Sequence, residues 1–142
     1  MCPQHRACPA LVLLRGIVGR FVFHVSGSGD NTPPAFAGLQ EAFACTLGPQ
    51  QPGQTTPYTL SWQTASDNTT PGTQIKYDIY LASAPGAENF STPTWTTPPG
   101  TTSYHTPGLP SHGSYYFVVR ARDSAGNHDD NTVEKHGIDP CY

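Results

Sequence analysis

From Asn31 onward the chain is interrupted every eight to twelve residues by turn formers, and the runs between them alternate apolar with polar. This punctuation limits the fold more than any other feature. The breakers include Gly48-Pro49-Gln50-Gln51-Pro52-Gly53, Ala65 to Thr73, Ala84-Pro85-Gly86 and Asp123-Ser124-Ala125-Gly126-Asn127. Each uses residues that set turn dihedrals or bond their own backbone. Between them no segment carries a helical period, and no internal repeat is present. Composition agrees. The 142 residues include 14 Gly and 15 Pro, while Asp, Glu, Lys and Arg make up only 12%. Coiled coils and helical bundles draw on the opposite set. The expectation is one all-β domain.

The runs read as strands. Leu39–Leu47 comes first. In Tyr58–Thr64, the residues Tyr58, Leu60 and Trp62 share a face; in Ile75–Leu81, Ile75, Tyr77 and Ile79 do. Pro93–Thr97 suits a short edge strand, because proline limits pairing on both sides. Thr101–Thr106 and Asn131–His136 are further short strands. Ser114–Arg122 is the strongest, with Tyr115, Phe117, Val119 and Ala121 on one face. About seven strands in roughly 110 residues is the size of an immunoglobulin-like sandwich.

Particular residues narrow this. Leu60-x-Trp62, Tyr77-x-Ile79-Tyr80, and Leu109 followed by Tyr115-x-Phe117-x-Val119-x-Ala121 resemble a fibronectin type III domain. Three motifs are similar to bacterial surface and exported members: Asp30-Asn31-Thr32-Pro33-Pro34, Ala65-Ser66-Asp67-Asn68 and Ala121-Arg122-Asp123-Ser124-Ala125-Gly126-Asn127. The resemblance spans residues 30–138. It implies a seven-stranded sandwich whose core holds Trp62, Tyr77, Ile79, Leu109, Tyr115, Phe117 and Val119. It also implies a tyrosine corner, with the Tyr115 hydroxyl bonded to backbone upstream. One departure is visible: the proline usual two residues after the leucine is Ser111, and Pro110 sits one position early.

Residues 1–28 stand apart from a domain at 29–142. Arg6, Arg15 and Arg20 are three of seven basic residues, and no acid precedes Asp30. A basic start and the apolar run Ala7–Leu14 outline an export signal, although Arg15 and Arg20 interrupt it. The other reading is an added strand over Leu11–Val25. The apolar stretch is too short to span a bilayer. Removal after Gly27 leaves four basic residues and ten acids, 4 − 10 = −6. With seven basic residues in all, the chain offers no basic surface for nucleic acid.

Of the four cysteines, Cys2 and Cys8 lie in the leader-like segment. Cys45 and Cys141 then have one possible pairing. The resembled topology carries the chain after its first and last strands to the same pole, which favours the bond over two separate thiols. A disulfide places a domain in an oxidising compartment.

Catalytic motifs are not found: no G-x-S-x-G, no H-E-x-x-H, no phosphate-cradling glycine loop. The six histidines are scattered. A non-enzyme is expected. The acids give a sharper expectation. The resembled fold gathers Asp30, Asp67, Asn68, Asp123, Asn127, Asp129 and Asp130 at one pole. Calcium takes six to eight oxygen ligands, and Asp30, Asp67 and Asp123, assisted by Asn68 or Asn127, are the candidate set. The competing reading is that Asp and Asn only shape their own turns. Tyr80, Tyr116, Phe90 and Trp95 are expected outside the core face, as a sugar or protein contact patch or simply as cross-strand cover. Asn68-Thr69-Thr70 and Asn89-Phe90-Ser91 match the glycosylation pattern.

The expected role is a secreted or cell-surface module, binding protein or carbohydrate or acting as a spacer. The alternative is a fibre subunit that homo-oligomerises by adding the strand 11–25 to a neighbour's sheet edge.

Overall fold

Strict alternation over two long runs sets the centre of the fold. Lys76–Ala82 forms strand β4 and Tyr116–Arg122 forms β8. They pair antiparallel, with Tyr77 opposite Ala121, Ile79 opposite Val119 and Leu81 opposite Phe117. Opposed residues share a face, so one face of this pair is continuously apolar. Tyr77, Ile79, Phe117, Val119 and Ala121 are each fully buried.

The computed structural model describes residues 29–141. The leader-like segment 1–28, the strand expected at 11–25, Cys2 and Cys8 lie outside the described residues. Within them the chain is all-β. Seven strands fall into two antiparallel sheets. The three-stranded sheet has the order β1-β3-β6, from Glu41–Phe43, Thr59–Ser61 and Ser103–His105. The four-stranded sheet has the order β5-β4-β8-β9, where β5 is Trp95–Thr96 and β9 is Glu134–His136. A two-stranded ribbon joins β2 (Thr55–Thr56) to β7 (Leu109–Pro110). A single 3-10 turn at Gly72–Gln74 is the described helical element. Among the described residues no helix is long and apolar enough to cross a membrane.

One buried cluster draws on both larger sheets. Leu60 and Trp62 come from β3 and its continuation, and Tyr77, Ile79, Phe117 and Val119 from β4 and β8. Rings interlock across it: Trp62 lies 5.2 Å from Tyr77, and Tyr58 lies 5.6 Å from Phe117, centroid to centroid. Trp62 also satisfies its indole N–H on the Thr101 carbonyl at 3.1 Å. Leu109 and Tyr115, expected inside, are half-buried at the margin and pack against the cluster. Tyr115 cannot go deeper while its hydroxyl donates to the Pro110 carbonyl, 2.7 Å away.

The first strand is shorter than expected. Gly38 at φ +86° bends the chain before it; a Cβ there would meet Val133 Cβ at 2.6 Å. After Phe43 the backbone changes partner. Ala44 N–H donates to the Ile138 carbonyl at 2.8 Å, and Ile138 N–H returns to the Ala42 carbonyl at 3.2 Å. This parallel bridge carries the chain after β1 alongside the chain after β9. Cys45 and Cys141 follow at once and are joined, Cα to Cα 4.9 Å.

The outward face of the four-stranded sheet also departs from expectation. Tyr80 is buried, because Phe90 from the β4–β5 loop stands edge-on to it at 5.1 Å. The Arg120 guanidinium lies 3.7 Å from the Phe90 centroid, a cation–π contact. Trp95 is half-buried against Tyr104, and Tyr116 stacks on His136. The four aromatics are not one open patch: Trp95, opposite Ile79, packs against the buried core and corrects the expectation that it lies outside the core face.

Candidate functional site

Three loop segments build the acidic end of the domain. Ala35 and Ser66 exchange backbone hydrogen bonds of 2.7 and 3.0 Å, which fastens the chain entry to the loop after β3. The Thr70 hydroxyl meets Ser124 Oγ at 2.9 Å and accepts from Ser124 N–H at 3.2 Å, which fastens that loop to the turn after β8. As a result Asp67 and Asp123 each place a carboxylate oxygen within 4.8 Å of the other, while Asp30 falls in a separate unit, residues 1–30. Asp30 and Asp67 are half-buried and Asp123 is buried.

Each loop uses its acid locally as well. Asp67 Oδ2 accepts from the N–H groups of Thr69 and Thr70, at 3.0 and 2.7 Å. This is the side-chain turn that aspartate makes two residues upstream of a donor. Asp123 accepts from Asn127 twice, backbone N–H to Oδ1 at 2.8 Å and side-chain amide to Oδ2 at 2.7 Å. Gly126, at φ +98°, allows the chain to reverse between them. Asn127 therefore turns a donor towards Asp123, and Asn68 lies exposed.

Two acids expected in this cluster serve elsewhere. Asp129 is buried and accepts from Ala121 N–H and from both donors of Asn131. It replaces a strand partner where β8 runs past the end of β9. Asp130 is exposed, and its carbonyl receives Arg120.

Sequence reasoning missed the strongest charged contact. Asp78, in the middle of β4, is 1% exposed and is held by Arg122 of β8 and by the Thr96 hydroxyl at 2.6 Å. The available signal was an aspartate inside a strand run, where that residue type is depleted. Asp139 was also missed. Its Oδ1 accepts the N–H groups of Thr46 and Cys141, both at 3.2 Å. Bonding from Thr46 holds this carboxyl below the usual aspartate range.

Among the described residues the histidines do not converge. His105 bonds Thr59 Oγ1 at 3.0 Å, His128 lies 3.6 Å from Asp78, and His136 stacks on Tyr116. Compared with known proteins, the chain matches no family model, no curated protein and no solved structure.

Proposed function

We propose that the chain is an exported fibronectin type III-like module that works without catalysis, as a binding or spacing unit for protein or carbohydrate at the cell surface or outside it. The observation that carries this is the Cys45–Cys141 bond, which links the chain after the first strand to the chain after the last. Disulfides persist in secreted and surface proteins and are rare in a reducing cytosol. The family reading has its own support. The sheet orders β1-β3-β6 and β5-β4-β8-β9 suit a seven-stranded sandwich. The Tyr115 hydroxyl on the Pro110 carbonyl is the contact of a tyrosine corner. The non-catalytic part rests on the motif content of the sequence.

The test is intact mass of the natural product, with and without reductant, in the extracellular and intracellular fractions. A protein recovered outside the cell that gains two hydrogens on reduction supports the proposal. Accumulation inside the cell with alkylatable Cys45 and Cys141 overturns it.

A further inference from the structure

We propose that the open edge of the sandwich between β1 and β9 is a dimer contact, filled by a second copy of this chain across a two-fold axis, whether or not the module reading above holds.

Among the described residues four large apolar side chains are exposed: Phe43, Leu47, Val133 and Ile138. Scattered singly, such residues need no explanation. Two of them are brought together. Phe43 and Ile138 are the partners of the parallel bridge, and they stay 38% and 53% exposed. Both line a groove of about 360 Å³, which has residues 40–43 on one side and residues 135, 136 and 138 on the other. The bridge is isolated. Before it in the chain, β1 pairs with β3 and β9 pairs with β8, each in its own sheet. The groove opens between these two edges.

Each wall carries one charge. Glu41 stands on the β1 side and Lys135 on the β9 side. Counted back in parallel register from the Phe43–Ile138 bridge, Glu41 is level with His136 and one residue from Lys135. A lysine side chain spans that offset. Neither charge has an ion-pair partner among the described residues. Glu41 accepts from the Ser61 hydroxyl at 3.4 Å.

A two-fold axis along the groove exchanges its walls. Glu41 of one copy then meets Lys135 of the other, and the reciprocal pair forms with it. The same operation lays Phe43 on Ile138 of the other copy. A face that pairs with itself must be self-complementary in this way.

Other occupants fit less well. A small apolar ligand would leave both charges unmatched. An extended peptide needs a strand edge to pair with, and β1 and β9 have three residues each. Charges on short edge strands also discourage strand addition. An unrelated protein would have to bring acid, base and two apolar groups in matching order, whereas a second copy has them by symmetry. The contact is therefore side chain on side chain. It is small, so the dimer is weak and depends on concentration.

The test is sedimentation equilibrium of the oxidised full chain over a series of concentrations. We expect a monomer–dimer equilibrium. Glu41→Lys and Lys135→Glu should each weaken it at least about tenfold, because one substitution turns two attractive pairs into two like-charged ones. An equimolar mixture of the two variants should recover the dimer, since each offers the other opposite charges; mixing does not repair a folding defect. If circular dichroism shows that Lys135→Glu does not fold, Glu41→Lys is compared with Glu41→Gln, and the reversed charge must weaken association more than the neutral amide. A monomer at every concentration overturns the proposal and leaves the groove to another occupant. A dimer that both single variants leave intact overturns it too, as do folded variants that stay monomeric when mixed.

Discussion

Arg122 grips Asp78 with two nitrogens across β4 and β8: Nε lies 2.9 Å from Oδ2 and Nη2 lies 3.1 Å from Oδ1. The carboxylate is buried, whereas the guanidinium side chain is 32% exposed. The two sides of the pair are therefore unequal. Removing the arginine leaves the buried carboxylate only the Thr96 hydroxyl and His128 beside it, and removing both members of the pair leaves little to miss. We expect Arg122→Ala to cost about 2 kcal/mol in urea unfolding, below the fully buried range because Arg122 is partly solvated. Asp78→Leu combined with Arg122→Met should recover most of it. An Arg122→Ala loss under about 0.5 kcal/mol, typical of surface pairs, would refute the buried-charge account.

The disulfide closes a sequence separation of 96 residues. In the loop-entropy model a closure of that length stabilises by about 4–5 kcal/mol. We expect the Cys45→Ala/Cys141→Ala double variant to melt about 15 °C or more below the oxidised protein. Because Asp139 is held by the N–H groups of Thr46 and Cys141, the variant should also loosen the chain after β9. Hydrogen exchange at Ile138 and Cys141 reports this. Equal melting temperatures for the two proteins would show that the parallel bridge at Ile138 closes the ends unaided.

Tyr115 has a polar and an apolar role that substitution separates. Its hydroxyl donates to the Pro110 carbonyl at 2.7 Å, and its ring meets Tyr58 edge-on at 5.8 Å. Tyr115→Phe should cost about 1 kcal/mol, the net worth of one hydrogen bond. Tyr115→Ala loses the ring contact too and should cost clearly more. If Tyr115→Phe is as stable as the parent in denaturant titration, the corner is only a geometric coincidence.

How much of this was legible follows from range in sequence. The faces of β4 and β8 were readable because a period of two needs only neighbours: Tyr77, Ile79, Phe117 and Val119 are inside as their alternation demands. The burial of Tyr80 was not, since its cover, Phe90, comes from a loop whose path no local pattern encodes. The β2–β7 ribbon has two residues on each side and no period to detect. The Asp78–Arg122 pair joins positions 44 apart, so only the anomaly of a strand aspartate was visible. Among the acids, Asp67, Asp123 and Asp129 look alike as letters. Backbone geometry separates them: the first two share an end of the domain, and Asp129 mends a strand edge.

Glu88 gives a pH signature of opposite sign to the usual carboxylate. Burial raises its pKa, and hydrogen bonding and charge from Glu134 raise it further. Glu134 is itself held by Gly86 N–H at 2.6 Å, so it cannot swing away freely. The native state thus keeps a proton on Glu88 at pH values where the unfolded chain has lost it. Stability from this group is full below the unfolded value and is lost as pH rises through the folded one. Asp139, with a lowered pKa, works the other way and loses its contribution as pH falls. Comparing Glu88→Gln with the parent cancels Asp139 and the histidines, which both proteins share. The variant should match the parent near about pH 4, where glutamate is largely protonated in both states, and exceed it at about pH 7. Urea titrations at the two pH values measure the difference. A variant less stable than the parent at the higher pH would mean that the Glu88 charge is stabilising and the pairing with Glu134 is misread.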